Sequence, residues 1–256
     1  MINRYFIHLA YKGTQFHGWQ IQPNSVTIQE IVNKALSLLI GETIETVGAG
    51  RTDSGVHASS FYAHFDCGRE AIHLDPNFVY KLNCILPMDI VVYRIYKMPS
   101  NAHARFDAIS RTYLYRISQC KNPFTRELTM HFWKPLDIDL MNKASSLLLT
   151  FTDFTSFSKV HTDVKTNNCE IYQALWKKEG DELQFVITAN RFLRNMVRAV
   201  VGTLLQVGMG KMSIDQFIQV IEQKNRADAG TSVDSQGLHL IKIDYPKSFF
   251  LSGSEK

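Results

Sequence analysis

The chain has 256 residues, 45% hydrophobic and 20% charged, with 28 Lys+Arg against 24 Asp+Glu for a formal net charge of +4. That length suits one large domain or two small ones, and the apolar fraction excludes intrinsic disorder, collagen and coiled coil. The charge permits an anionic partner without requiring one, so the positions of the arginines carry the information. Cys67, Cys84, Cys120 and Cys169 lie far apart and form no C-x-x-C, which argues against a disulfide framework or a tight zinc site and suits a reducing compartment. The opening from Met1 to Tyr11 lacks the apolar core of a signal peptide. The richest apolar segment, Ala199–Gly210, is broken by Gly202, Thr203 and Gln206, well short of the roughly 18 consecutive apolar residues of a membrane span. The expectation is a soluble cytoplasmic protein with no membrane association.

Along the first hundred residues the pattern predicts a regular series. Arg4–Tyr11 alternates as a strand. Thr27-Ile28-Gln29-Glu30 reads as a capping box, and Ile28, Ile31, Val32, Ala35, Leu38 and Leu39 mark one face of a helix ending at Gly41. Ile44–Gly48 and Ser60–Phe65 read as strands joined by the loop Ala49–Ala58. Asp75-Pro76 opens a helix to about Cys84, with proline at its first position, and Asp89–Tyr96 is a further strand. This β-α-β-β-α-β order is the split βαβ or ferredoxin-like pattern.

The second half repeats the order without obvious sequence similarity. Arg111–Ser118 is a strand and Leu140–Leu149 a helix. Ile171–Lys178 and Glu182–Thr188 form a hairpin, Arg191–Val207 a long helix, Ser213–Gln216 the capped start of another, and Gly237–Tyr245 a closing strand. The expected fold is α+β: two ferredoxin-like units joined across a central, mostly antiparallel sheet with helices on its outer face. Residues 1–105 form the N-terminal unit, carrying the loop 48–58, and residues 106–246 the C-terminal unit. Residues 247–256 read as a flexible tail. The polar, aperiodic stretch Thr150–Asn168 is of a length that is usually functional or mobile.

Three constellations carry chemistry. In Gly48-Ala49-Gly50-Arg51-Thr52-Asp53-Ser54-Gly55-Val56-His57-Ala58, three glycines permit tight turns and close approach of another molecule. Asp53 there either accepts loop amide hydrogen bonds or is a carboxylate kept ionised by neighbouring cations, available as nucleophile or base. No G-K-[ST] follows, so this is not a P-loop. Read as one helix, Arg191, Arg194 and Arg198 fall at i, i+3 and i+7, within an arc of about 60° at ~100° per residue. Such a row is either a solvated face or a binding face for phosphates or a carboxylate, and no Glu or Asp alternates with it. Arg105, Arg111 and Arg116 add charge near the joint between the units. Tyr113 and Tyr115 share one face of a strand, as core or as a platform for an unpaired base. The nine histidines are scattered, with no H-E-x-x-H and no nucleophile elbow around Ser54. His57 and His64 read as structural, and no metal site is expected.

Together these segments resemble the TruA family of tRNA pseudouridine synthases, which act in the anticodon stem-loop. The resemblance is carried by Tyr11-Lys12-Gly13-Thr14-Gln15-Phe16-His17-Gly18-Trp19-Gln20 with Gln22-Pro23-Asn24, by Gly50 to Ala58, by Asn83-Cys84-Ile85-Leu86-Pro87 and by Arg111 to Tyr115. It continues through Phe192-Leu193-Arg194-Asn195-Met196-Val197-Arg198 and Gly237-Leu238-His239-Leu240, in the family's order across nearly the whole chain. It implies an RNA-modifying isomerase of two related α/β lobes, acting on tRNA as a homodimer without cofactor. By this resemblance Asp53 is the carboxylate of the reaction and Tyr113 stacks against the target base. Arg198 pairs with the carboxylate, and Arg51 helps hold the extruded nucleotide. Lys12 stands where an acidic residue is usual and Ser54 where alanine is common. Thr152-Asp153-Phe154 replaces His-Asp-Phe, and Val233-Asp234-Ser235 lacks the usual proline. The catalytic positions are intact. The rival readings are a non-catalytic RNA-binding module, which leaves no modified base in the RNA, and an aspartate-nucleophile nucleoside hydrolase, which releases free uracil.

Overall fold

The computed structural model describes residues 2–159 and 166–251. The chain divides into two compact units, residues 1–109 with 240–256 and residues 110–239. The sequence reading places the joint a few residues earlier and leaves the last strand with the C-terminal unit; from Leu240 onward that strand groups instead with the first unit. Both units are mixed α+β, with mostly antiparallel strands.

In the first unit the elements run β1 (Asn3–Tyr11), α1 (Ile28–Ile40), β2 (Val47–Gly48), β3 (His57–Cys67), α2 (Pro76–Ile85) and β4 (Ile90–Met98). β1 is central, antiparallel to β3 on one side and β4 on the other, and β3 also pairs with β2. Thr27 caps α1 by accepting the Glu30 N–H at 3.4 Å. The reciprocal half of the capping box is absent because the Glu30 carboxylate takes Lys34 Nζ at 2.5 Å. Gly41 ends the helix in the left-handed region at φ 87°, where glycine has no Cβ to clash. The buried stripe is Ile28, Val32, Ala35 and Leu36, whereas Leu38 faces solvent.

The predicted strand Ile44–Gly48 shrinks to two residues because α1 side chains replace its ladder. Ser37 Oγ accepts the Ile44 N–H at 2.8 Å, and Asn33 Oδ1 accepts from the Thr46 N–H at 3.0 Å and hydroxyl at 2.7 Å. Asp75 caps α2 by accepting from the Asn77 N–H, with Pro76 in the first turn.

β9 (Leu238–Asp244) pairs with β3 in this unit. The predicted flexible tail contains a short helix, α6 (Ser248–Leu251), whose Phe249 and Phe250 rings lie against Phe6, Tyr62, Tyr96 and Tyr245 at centroid separations of 4.7–6.1 Å. Aromatic burial fixes these residues; residues 252–256 lie outside the described ones.

The second unit runs β5 (Ser110–Ser118), β6 (Met130–His131), α3 (Ile138–Leu147), β7 (Ile171–Glu179), β8 (Glu182–Ala189), α4 (Met196–Gly208) and α5 (Ile214–Glu222). β8 is central between β5 and β7, antiparallel to both, and β6 runs parallel to β5. Nearly all of α4 is buried, and α5 has a complete Ser213–Gln216 capping box. Within Thr150–Asn168, the described residues are anchored. Phe154 and Phe157 are core side chains, Ser156 Oγ donates to the Val220 carbonyl at 2.5 Å, and Asp153 accepts from Thr155 and pairs with Lys224 at 3.0 Å. Residues 160–165 of that stretch lie outside the described ones.

Candidate active site

The loop 49–58 leaves β2 and returns as β3, and the end of β1 with the segment after it holds the loop. Tyr11 and Thr52 meet hydroxyl to hydroxyl at 2.9 Å, both buried. The Trp19 N–H donates to the Thr52 carbonyl at 3.2 Å, and the Gly55 N–H to the Phe16 carbonyl at 3.2 Å. Ser54 Oγ adds a bond to the same Phe16 carbonyl at 3.3 Å. The Gly13 N–H donates to His57 Nδ1 at 3.0 Å, so that nitrogen is the acceptor and the ring proton sits on Nε2.

Two glycines make this approach possible. A Cβ on Gly13 would stand 2.0 Å from the Val56 carbonyl oxygen, and one on Gly18, at φ 83°, would stand 2.3 Å from that of Thr52. The motif from Tyr11 to Trp19 therefore works as a mould for the loop, and Trp19 is wholly buried beneath it. Within the loop itself Gly55 adopts φ 77° and turns the chain, closed by the Val56 N–H on the Asp53 carbonyl at 3.2 Å. Asp53 is half-buried on this turn and Arg51 is exposed.

The other sequence-predicted site residues belong to the second unit. Tyr113, half-buried on β5, receives the Phe192 ring edge-on at a centroid distance of 5.1 Å and 89°. Tyr115 is fully buried; its hydroxyl donates to the Asp234 carbonyl at 2.7 Å, and desolvation raises its pKa. Of the two tyrosines, Tyr113 alone retains an accessible ring.

The single arginine-bearing helix face does not exist. α4 begins at Met196, and Asn195 precedes it in the left-handed region at φ 66°. Arg191 and Arg194 therefore lie in non-helical chain, and the Arg194 carbonyl accepts the Lys159 N–H at 3.1 Å. Arg198 does lie on α4, with Nε on the Val233 carbonyl at 2.6 Å. Arg116 is neutralised by Glu182 through two bonds of 2.8 and 2.9 Å, and Arg111 donates to the Asn190 carbonyl.

The structure accounts for His57 and His64 as buried hydrogen-bonding residues, His64 Nδ1 accepting the Ala104 N–H at 3.2 Å. The four cysteines are free; burial raises the pKa of the Cys67 thiol and moves that of Cys169 up to about 11. Among the described residues no group of three or more His, Cys, Asp or Glu is placed to hold a metal ion, and no helix is long and apolar enough to cross a membrane.

The family model for tRNA pseudouridine synthase matches residues 144–246. The chain is 53% identical over 251 residues to tRNA pseudouridine synthase A of Bacteroides fragilis, covering 97% of this chain and 99% of that protein. It is 50% identical over 258 residues to the Bacteroides thetaiotaomicron protein of the same name, covering 100% and 95%. With the one from Thermoanaerobacter pseudethanolicus it shares 39% over 241 residues, covering 93% and 98%. The chain belongs to the tRNA pseudouridine synthase A family. It is accordingly an isomerase that turns uridine into pseudouridine in tRNA.

The departure at Val233-Asp234-Ser235 is absorbed locally. Without the usual proline, the final segment is fixed by the Val233 and Asp234 carbonyls, which accept from Arg198 and Tyr115. Tyr11 and Thr52 were not singled out by sequence: two hydroxyls 41 positions apart leave no local signature. Tyr11 ends an alternating strand and opens the motif of the family resemblance, and neither position tells of a bond to Thr52.

Proposed function

We propose that this synthase acts on uridines in the anticodon stem-loop of tRNA, with Asp53 as the carboxylate on which isomerisation depends and no cofactor. The reaction breaks the bond from N1 of uracil to the sugar, turns the detached base and joins the sugar to C5. N1 gains a proton, C5 loses one to solvent, and no redox change or net hydrolysis occurs. The protein must supply a carboxylate near sugar and base, a cavity that retains uracil, and exclusion of water. Asp53 attacks the sugar carbon, attacks a ring carbon or abstracts a sugar proton.

In this reading Arg198 orients the carboxylate, Arg51 holds the extruded nucleotide, and Tyr113 stacks on the target base. Extruding a nucleotide costs a few kcal/mol; stacking worth roughly 1–3 kcal/mol offsets part of that. Arg191 and Arg194 take phosphates. Two copies of the chain form the working enzyme, which suits an elongated RNA. Each unit is a ferredoxin-like fold, a reading supported in the first by its β-α-β-β-α-β order and the pairing of β1 with β3 and β4. The observation that carries the catalytic reading is the moulding of the loop around Asp53: hydrogen bonds flank the carboxylate at Thr52, Ser54, Gly55 and His57. Such restraint is what a preorganised catalytic group requires.

The test is tritium release from tRNA carrying 5-labelled uridine, with analysis for free uracil. Asp53→Asn is expected to abolish release while tRNA affinity stays within about tenfold, as for a group acting in the transition state. Unchanged turnover in that variant ends the proposal. Free uracil would mark a hydrolase, and binding without release an RNA-binding module.

A further inference from the structure

The hydroxyl pair beneath the loop is chemically unnecessary for packing. Tyr11 is 4% exposed, with its ring against Phe61 at 5.6 Å and Trp19 at 6.3 Å, and Thr52 is 7% exposed. Phenylalanine and valine would fill the same volume without burying two polar groups, and replacing both partners of a buried hydrogen bond by apolar isosteres is often nearly neutral. What the hydroxyls add is direction. An aromatic ring wedged among core side chains carries its hydroxyl at a fixed point, and Thr52 is the residue immediately before Asp53. The Thr52 carbonyl is simultaneously held by the Trp19 N–H, so both side chain and main chain of residue 52 are set.

On the other flank, His57 Nδ1 takes the Gly13 N–H, in the space that the missing Gly13 side chain leaves beside Val56. The two anchors bracket Asp53, at one residue before it and four after. One comes from Tyr11, the last residue of β1, and the other from Gly13, two residues on.

We infer that Tyr11, through its hydroxyl bond to Thr52, is a positioning residue for Asp53, with His57 on Gly13 as the second anchor of the same loop. This rests on the reading of Asp53 as the reactive carboxylate. Tyr11 and His57, both buried, act through Thr52 and the loop backbone.

The experiment is a double-mutant cycle of Tyr11→Phe and Thr52→Val, with kcat, KM for tRNA and urea midpoint measured for each enzyme. Each single variant is expected to lose about tenfold or more in kcat with KM within about twofold, the signature of misorientation rather than lost binding. The double variant is expected to be no worse than the weaker single one, because the two substitutions remove one interaction. Thr52→Ser, which keeps the hydroxyl, is expected to restore kcat. His57→Asn places Oδ1 where Nδ1 stood and is expected to retain most activity, whereas His57→Leu is not.

A lowered urea midpoint with wild-type kcat in both Tyr11→Phe and Thr52→Val overturns the inference and leaves the pair a stability element. If Tyr11→Phe does not fold, the comparison of Thr52→Val with Thr52→Ser decides: equal kcat rejects positioning. Asp53→Asn in the same assay separates the two claims. Activity there defeats the catalytic reading itself, whereas an inactive Asp53→Asn beside a fully active Tyr11→Phe and Thr52→Val defeats only the inference.

Discussion

Arg198 and Val233 hold each other twice: Arg198 Nε–H donates to the Val233 carbonyl at 2.6 Å, and the Val233 N–H donates to the Arg198 carbonyl at 3.2 Å. A guanidinium bonded through Nε has its plane fixed, leaving its terminal nitrogens at defined positions; an ammonium on a flexible stem has no such plane. Arg198→Lys keeps the charge and loses that geometry. If Arg198 orients the catalytic carboxylate, the variant should lose about tenfold or more in kcat, in line with a group that acts through orientation. Single-turnover rates on saturating tRNA, beside a filter-binding titration, measure this. A wild-type rate in the lysine variant shows that charge alone suffices.

The perpendicular packing of Phe192 on Tyr113, at 5.1 Å, fixes the tyrosine ring without covering it. A ring that works by stacking needs its face and not its hydroxyl. Tyr113→Phe is therefore expected to preserve much of the activity, and Tyr113→Ala to forfeit the roughly 1–3 kcal/mol of a base–aromatic stack. Loss in Tyr113→Phe as deep as in Asp53→Asn would instead assign acid–base work to the hydroxyl. Initial rates for the three variants discriminate the two roles.

The starts of α1, α2 and α5 are legible in the sequence, because Thr27, Asp75 and Ser213 each satisfy orphan N–H groups locally. The start of α4 is not. Arginines at positions 191, 194 and 198 imitate a helical stripe, but Asn195 turns left-handed and the segment before it is bonded to other chain. β2 is short for a related reason: Asn33 and Ser37, two helix side chains, supply the bonds that a strand neighbour would have given. The candidate site divides in the same way. Asp53, Arg51 and His57 stand out in one glycine-marked motif, whereas the support from Tyr11 depends on a strand end meeting a loop, which only folding brings about.

If Arg191 and Arg194, which precede α4 rather than share its face, take tRNA phosphates, each adds its own increment to the salt dependence of binding. Arg194 is exposed and Arg191 half-buried. Each phosphate contact removed should lower the slope of log affinity against log salt by roughly 0.7–0.9. Separate alanine variants should each show that change, and the double variant their sum, since the slope counts the phosphates contacted. Titrations at four salt concentrations measure the slopes. A slope equal to wild type for either variant removes that residue from the phosphate contacts.

His64 makes stability depend on pH in a predictable direction. Its Nδ1 accepts the Ala104 N–H, and burial, with smaller contributions from the neighbouring His103 and Arg4, lowers its pKa from 6.5 to about 4; Asp66 and Asp107 oppose this only partly. The unfolded chain takes up this proton near 6.5, whereas the folded chain does so only near 4. The contribution to stability is therefore complete above about pH 6.5, diminishes as the pH falls and is gone below about 4. His64→Asn keeps an acceptor for the Ala104 N–H on Oδ1 but cannot titrate. Its urea midpoint should consequently fall less steeply than that of the wild type between pH 7 and 4.5. Parallel midpoint curves for the two proteins would show that His64 is not the group responsible.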